Sequence, residues 1–230
     1  SSLEEIEQNQ TETTDALTRV RQKGSISFSG VRNILDSLKR LEIGSSLGIS
    51  ELLCISSQLT VAARAKSYGR HEDSELPDDS LEEMFKALEP LTPLNTEIKR
   101  CILSEDEISD DASPGLRHVR RQMRGIGDKI HTQLNSILNS SRTYLQDAVI
   151  TMRDGRYCLP VKAEHKNQVS GMVHDQSATG STLFIEPMAI IKLNNDLREL
   201  EIQEKKEIEA VLADLSNQTA PYTEELRTNQ

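Results

Sequence analysis

The side chains best suited to chemistry lie in one short stretch of the sequence, between about Thr151 and Ile185. Two arginines flank the pair Asp154-Gly155, and a run of hydroxyl groups follows further along. Guanidinium, hydroxyl and free backbone N–H groups are the usual donors to phosphate oxygens, and they do not read a base sequence. These residue types therefore favour binding over catalysis. The candidate binding residues are Arg153, Arg156, Lys162, Lys166, Gln176, Ser177, Thr179, Gly180 and Ser181.

Other chemistry in the same stretch is less well supported. His165 and His174 are separated by a predicted strand and lack the Cys, Asp or Glu residues that would complete a zinc site at the usual spacing. A dyad of His174 and Asp175 with a nearby serine is possible, but an aspartate that caps a turn explains Asp175 better. We therefore predict no catalytic residue and no metal site. The phosphate-binding pattern GxxxxGK[ST] is also absent from these 230 residues, so we expect neither a cofactor nor an enzyme activity in them.

Composition limits the partners. The net charge of −10 argues at first against nucleic acid, but the charge is unevenly spread. Residues 1–112 carry 12 basic and 22 acidic groups, whereas residues 113–147 carry six and two and residues 148–186 carry four of each. Local field governs the choice of partner, and near the candidate residues the field is far less negative than the mean.

Other features of the composition indicate a cytoplasmic protein. Hydrophobic residues make up 36% of the chain and aromatic residues 3%, which is typical of a helix-rich protein with thin cores. The three cysteines, Cys54, Cys101 and Cys158, are far apart and odd in number, which favours a reducing compartment. No apolar run approaches the roughly 20 residues that cross a membrane, and no signal peptide is recognised. The first residue is not Met, so we expect an excised segment.

The elements that must position the candidate residues are two long helices and a small sheet. After several shorter helices and an acidic loop at 71–80, a second acidic loop at 104–115 precedes a helix with apolar residues at 3-4 spacing over about thirty residues. A second long pattern begins at Pro187, and the two helices most simply pair antiparallel. The first helix carries a basic stripe that consists of Arg117, Arg120, Arg121 and Arg124. The stripe could face nucleic acid, pair with Glu201, Glu204 or Glu207 on the second helix, or pair with the acidic loops of the preceding segment.

Between the helices the apolar period changes to two, which predicts four short strands at about 148–152, 156–162, 170–175 and 181–186. Asp154-Gly155 is a strong hairpin signal. If successive strands simply alternate in direction, the turns at 153–156 and 176–181 both lie at the outer end of the sheet. The fold class is then mainly α with a small antiparallel β insert, an α+β chain.

Three long motifs in this region, GRYCLPVK, GMVHDQSATGSTLFIEP and LNNDLRELE, closely resemble the bacterial MutS-two family, the MutS paralogues without a mismatch-reading domain. The match is detailed from about Asp147 to Ser216, and Cys158 is its one clear departure. The resemblance implies a helical core at 1–112, a first lever helix at 113–147, a four-stranded clamp at 148–186 and a second lever helix at 187–230. In MutS proteins the clamp closes on the backbone of duplex DNA.

The resemblance also implies properties of a longer parent protein. Family members carry an ATPase domain, which would use ATP and Mg²⁺, and usually a nuclease domain, and they form homodimers largely through the ATPase domains. This segment alone would then be monomeric or would pair weakly through its lever surface. Family roles include suppression of homologous recombination and action on branched DNA. Our first hypothesis is therefore duplex or branched DNA binding without sequence specificity. The alternatives are contact with stalled or collided ribosomes and a structural spacer that couples the ATPase to partners.

Overall fold

The computed structural model describes residues 2–70 and 79–230, and most of these residues are helical. The helices within these ranges are α1 Leu3–Lys23, α2 Leu35–Glu42, α3 Ile49–Gly69, α4 Glu82–Lys86, α5 Thr92–Cys101, α6 Pro114–Ser140, α7 Ile191–Thr219 and α8 Thr223–Asn229. Among the described residues, we find no helix with the length and apolar character needed to span a membrane. The acidic loop predicted at 71–80 lies outside the described residues except for Asp79 and Ser80.

Two antiparallel sheets accompany the helices. The smaller pairs β1 Ile102–Ser104 with β2 Glu107–Ile108. The larger has the order β3-β4-β6-β5 and contains β3 Thr151–Arg153, β4 Arg156–Lys162, β5 Gly171–Gln176 and β6 Thr182–Pro187. The predicted fold class, mainly α with a small antiparallel insert, is confirmed. The small hairpin was missed, because strands of two and three residues are too short to show an alternating pattern. It spans the end of a predicted helix, at Ile102 and Leu103, and the start of the predicted acidic loop.

The described chain divides into two compact units. The first comprises the described residues up to Ala112 together with Glu209–Gln230, and the second is Ser113–Ile208. Helix α3 supplies much of the core of the first unit, where Leu52, Ile55 and Leu59 are fully buried. Its buried side chains lie on more than one face because α4, α5 and α8 all pack against it.

Within the second unit, α6 and the first part of α7 run antiparallel. Near the start of α6, Arg120 Nε lies 2.7 Å from Oε1 of Glu204. Further along α6, Ile130 and Leu134 lie in one apolar cluster with Leu193 and Leu197. Later residues of α6 therefore contact earlier residues of α7. The same cluster fixes the sheet on the second half of α6. The sheet residues in it are Leu159, Val161 and Ile185.

The ends of both long helices differ from the prediction. Helix α6 ends at Ser140 rather than near 147, because the chain after it turns to the sheet: Leu145 pairs with Val161 and the N–H of Gln146 bonds to the carbonyl of Pro160 (2.9 Å). Helix α7 begins at Ile191 rather than 187 and gives way to a short 3₁₀ segment at Ala220–Tyr222. Pro221 explains that ending, since proline has no N–H to continue the helix.

The middle of α6 offers a test of helix propensity. A Cβ added to Gly125 would meet nothing within 4 Å. We expect Gly125→Ala to raise the free energy of unfolding of the second unit by about 1 kcal/mol, because alanine costs less backbone entropy in a helix. Chemical denaturation followed by circular dichroism measures this.

The matched control is Gly171→Ala in β5. Its Cβ would overlap the backbone carbonyl of Glu186, so this substitution should destabilise the unit by at least about 1 kcal/mol. A loss of stability in Gly125→Ala would contradict the open helical environment of Gly125.

Candidate nucleic-acid interface

The hairpin between β3 and β4 turns at the predicted residues. Asp154 has φ of 52° and Gly155 has φ of 72°, and Arg153 pairs with Arg156 across the turn. Positive φ at both central residues is the signature of a type I′ turn, whose twist matches that of the flanking strands. The short side chain of Asp154 and the absence of one at Gly155 make this conformation accessible.

The two predicted tips nevertheless lie at opposite ends of the sheet. Lys162, at the end of β4, pairs with Thr182 at the start of β6, so the loop 177–181 lies beside the end of β4. The turn at Asp154-Gly155 precedes the start of β4. The prediction that both tips share one outer surface was therefore wrong. Its cause is that β6 lies between β4 and β5, which makes these two strands parallel and forces the connection 163–170 to return along the sheet.

We call the end of the sheet that contains Arg153–Tyr157 the helix end, because it lies against the start of α7. The side-chain amide of Asn194 bonds to both the N–H and the carbonyl of Tyr157, each at 3.4 Å. It thereby completes the backbone hydrogen bonding of β4 where no strand does so. A Cβ on Gly155 would lie 3.0 Å from Nη1 of Arg198, so the hairpin turn is directed towards α7.

A buried carboxylate holds the helix end together. Glu186 is 0% exposed and accepts hydrogen bonds from Arg156 Nε (2.5 Å), from Arg156 Nη2 (2.9 Å) and from Asn194 Nδ2 (2.6 Å), while His174 Nε2 lies 3.4 Å from it. Burial raises the pKa of Glu186, but the hydrogen bonds from Arg156, Asn194 and His174 outweigh it, so the pKa lies below its ordinary value of 4.5. The carboxylate thus ties β4, β5 and β6 to α7.

Arg156 consequently belongs to the fold. Besides Glu186 it donates from Nη1 to Oδ1 of Asn195 (2.7 Å), and its side chain is only 18% exposed. Its donors are engaged by the protein, so the structure does not present Arg156 to a phosphate as the sequence suggested. The sequence held no signal for this, because the partner carboxylate lies 30 residues away.

Arg153 is partly occupied. Its guanidinium carbon lies 3.8 Å from the centre of the Phe184 ring, and its Nε lies 3.2 Å from Oδ2 of Asp175. Phe184 pairs with Pro160, and side chains alternate across a sheet, so this stack lies on the face turned away from α6. The guanidinium of Arg153 is therefore engaged by the Phe184 ring and by Asp175.

We call the opposite end of the sheet the loop end; it comprises Lys162, Ala163 and residues 177–182. The loop 177–181 is closed by a bond from the N–H of Ser177 to the carbonyl of Thr182 (2.9 Å) and by one from the N–H of Gly180 to the carbonyl of Ser177 (2.8 Å). Gly180 has φ of 73°, which this tight loop requires. The N–H of Ala163 bonds to the carbonyl of Ser181 (3.0 Å), which joins β4 to the loop.

The loop presents donors to solvent. The hydroxyls of Thr179 and Ser181 lie 2.8 Å apart and those of Ser177 and Thr179 lie 3.5 Å apart, so the three form one chain. Among the described residues, the backbone N–H groups of Ala178, Thr179 and Ser181 have no hydrogen-bond partner. Gln176, at the end of β5, is exposed beside them.

One cation lies at the loop end, and two more lie in segments that adjoin it. Lys162 ends β4, and Lys166 lies in the 3₁₀ segment Ala163–Gln168 that follows it. The ring of His165 in that segment lies 5.2 Å from the ring of Tyr144, which brings the segment Arg142–Tyr144 alongside. Arg142 is exposed; the sequence placed it in the predicted helix 113–147, and it was not among the candidate residues. Within the described part of the chain, none of Arg142, Lys162 and Lys166 has an ion-pair partner; Glu164 is the acidic residue nearby in sequence.

In the basic stripe on α6, Arg120 is paired with Glu204 on α7, which is one of the ion pairs predicted for the stripe. For metals, the described residues contain no cluster of His, Cys, Asp or Glu that could hold an ion. Cys158 is buried in β4 near Glu186. Its burial, followed by the charge of Glu186, raises the pKa of its thiol to about 11.

Comparison with known proteins gives relatives over nearly the whole chain. Endonuclease MutS2 of Lachnoclostridium phytofermentans is 60% identical over 235 residues, which cover 99% of this chain and 30% of that protein. Endonuclease MutS2 of Agathobacter rectalis is 57% identical, covering 96% and 28%, and that of Alkaliphilus metalliredigens is 43% identical, covering 100% and 29%. No protein-family model matches the chain.

A β insert carried between two antiparallel helices is the arrangement that the resemblance to MutS-type lever and clamp regions implied. The identities specify the class further: the chain belongs to the MutS2 family. It spans about 30% of the length of the curated relatives that it matches.

Removing the buried carboxylate should weaken the second unit. We expect Glu186→Gln to lower the free energy of unfolding by about 3 kcal/mol, because it leaves the guanidinium of Arg156 half-buried without its counter-charge. Chemical denaturation measures the change, and Glu164→Gln, at an exposed carboxylate of the same unit, is the control. Equal stability of the two variants would refute the role of Glu186.

The same carboxylate predicts a pH dependence. A carboxyl group whose pKa is lower in the folded chain stabilises the fold above its unfolded pKa, and this contribution is lost as the pH falls through the folded pKa. We therefore expect the stability difference between the unsubstituted chain and Glu186→Gln to be full at pH 6 to 7 and to shrink as the pH falls below about 4.5. Denaturation midpoints of both chains across this range measure it; a difference that grows on acidification would contradict the lowered pKa.

Proposed function

We propose that this stretch of the chain binds the phosphate backbone of nucleic acid at the loop end of the sheet and does not read base sequence. The observation that carries the proposal is a loop of hydroxyl groups and backbone N–H groups without partners among the described residues, beside Lys162. Two further cations without described ion-pair partners, Lys166 and Arg142, lie in the segments that adjoin it. Both kinds of donor suit phosphate oxygens.

The revised set of residues differs from the one taken from sequence. Lys162, Lys166, Gln176, Ser177, Thr179, Gly180 and Ser181 remain in it, Arg142 joins it, and Arg156 leaves it. Arg153 lies towards the helix end and is engaged by Phe184 and Asp175, so its contribution is secondary. Because each phosphate contact contributes little alone, the isolated chain should bind weakly and with strong dependence on salt.

The relatives are named endonucleases, and this chain matches only about 30% of their length. We propose that the parent protein acts on DNA in repair or recombination and that the present stretch supplies contact with the backbone rather than bond cleavage. Cations and hydroxyl donors hold a phosphate in place, which is the role expected of such a surface.

The test is a set of matched charge reversals. Arg142→Glu, Lys162→Glu and Lys166→Glu are combined in one chain, and fluorescence anisotropy with a labelled 30-base-pair DNA measures affinity across a salt series. We expect at least a tenfold weaker affinity at low salt and a shallower slope of log affinity against log salt, by about 0.9 for each phosphate that the chain no longer neutralises.

The control carries the same change of charge on exposed cations of α7 outside the loop end: Lys192→Glu, Arg198→Glu and Lys205→Glu. It separates local contact from the overall loss of positive charge. Equal weakening by the two triple variants would refute the assignment to the loop end.

Ribosomal RNA is the second candidate ligand. The loop end offers donors to phosphates and hydroxyls that could also contact a 2′-hydroxyl group, so duplex RNA fits the same surface. Anisotropy with an RNA duplex of the same sequence decides between them: a preference for RNA of tenfold or more, abolished by the loop-end substitutions, would favour the ribosome.

A further inference from the structure

Helix α1 carries an apolar seam that the proposed function does not use. Leu3, Ile6, Leu17 and Val20 are 72%, 45%, 54% and 44% exposed. With Gln10 and Thr13 they follow a strict 3-4 spacing over the whole helix. A period of 3.5 residues is the pattern by which one α-helix packs along another in a coiled coil.

The seam is turned away from the described part of the first unit. All residues of α1 are described, and of these only Arg19 is buried. Arg19 donates to Asp79 (Nε to Oδ2, 2.5 Å), to Glu82 (3.0 Å) and to the carbonyl of Gly69 (3.0 Å). Asp15 accepts from the N–H of Ser80 (2.9 Å). At 100° per residue, Asp15 and Arg19 lie on the face opposite to the seam, so polar contacts fix the helix and leave its apolar side open.

The charges of α1 are polarised along its length. Its first twelve residues after the cap contain acidic groups only, at Glu4, Glu5, Glu7 and Glu12, whereas its last three contain the basic groups Arg21 and Lys23; the charge of Arg19 is already paired with Asp79 and Glu82. A parallel partner of the same sequence would place acid beside acid. An antiparallel partner would place the acidic end of each helix beside the basic end of the other.

We propose that α1 pairs antiparallel with α1 of a second copy of this chain. The seam has the same order from either end: two apolar positions, two polar positions and two apolar positions. A two-fold axis between positions 11 and 12 therefore sets Leu3 against Val20 of the partner subunit, Ile6 against the partner's Leu17 and Gln10 against the partner's Thr13. An isologous interface requires such self-complementarity.

The central polar layer supports the same register. The amide of Gln10 and the hydroxyl of Thr13 can hydrogen-bond across the interface, and a single polar layer commonly fixes register and orientation in a coiled coil at some cost in affinity. A partner helix of unrelated sequence would need the same centred polar layer and the same charge gradient. A second copy of α1 already has both.

This pairing is small. Six layers on a helix of 21 residues bury less than the area of a standard stable interface, so the isolated chain should dimerise weakly and reversibly. The proposal concerns the first unit and does not depend on nucleic-acid binding by the second.

Sedimentation equilibrium of the 230-residue chain, from about 5 µM to about 0.5 mM, tests whether it self-associates. We expect a monomer–dimer equilibrium whose dissociation constant rises at least about tenfold in the double variant Ile6→Glu, Leu17→Glu. The control is Ile43→Glu, Leu103→Glu, at apolar residues of the first unit that are 81% and 56% exposed and lie outside the seam; it should dimerise as the unsubstituted chain does. Circular dichroism should show the same folded state for all three chains.

Orientation is tested by disulfide formation in a Cys54→Ser background, because Cys54 is half-buried whereas Cys101 and Cys158 are buried. The Ile6→Cys chain and the Leu17→Cys chain are oxidised separately and as a mixture. The antiparallel register brings position 6 opposite position 17, so the mixture should form a covalent heterodimer at least tenfold faster than either chain forms a homodimer.

Two results would overturn the proposal. One is a chain that stays monomeric at the highest concentration or dimerises equally well with the seam substituted, in which case another segment of the parent protein covers the seam. The other is rapid disulfide formation by each single variant alone, which would show a parallel pair.

Discussion

The arrangement of the second unit depends on the carboxylate of Glu186. It is fully buried at the end of β6 and accepts hydrogen bonds from a strand residue, Arg156, and from a helix residue, Asn194. Such a charge is stable inside the protein only because its oxygens are occupied by these donors. Because β6 ends at Pro187 and α7 begins at Ile191, the chain connection places this end of the sheet beside α7, and the contacts of Glu186 hold it there.

The main disagreement between sequence and structure concerns the order of the strands. Periodicity predicted the last three strands to within one residue, because a period of two is a local property, and the Asp154-Gly155 turn is a local signal as well. The first strand begins at Thr151 rather than 148. The order of strands is not local. The prediction let successive strands alternate in direction, and that assumption placed both turns at one end. The fourth strand instead lies between the second and third, where Ile185 joins the apolar cluster on α6. No pattern within either motif encodes that choice.

The candidate residues show the same difference between local signals, which the sequence contains, and contacts with distant residues, which it does not reveal. The hydroxyl loop was found from sequence because its residue types and its positive-φ glycine mark an exposed loop. Arg156 was assigned to phosphate from sequence and pairs with Glu186 in the structure; an arginine that binds phosphate and one that pairs with a buried glutamate look alike in sequence. Arg142 was not among the candidate residues: apolar spacing continued past Ser140, whereas the backbone of 145–146 bonds to the sheet and ends the helix.

The insertion of β6 between β4 and β5 also has a kinetic consequence. The sheet consists of two local hairpins, β3–β4 and β5–β6, that dock along the line where β4 pairs with β6. Each hairpin closes over a short turn, whereas docking must close the loop formed by the 163–170 connection and its flanking strands, which costs more chain entropy. Lys162 belongs to the first hairpin, and Gln176 and the hydroxyl loop belong to the second. The surface that they form together therefore exists only after docking, so a change that slows this step delays the appearance of the proposed binding surface even when all of its residues are intact.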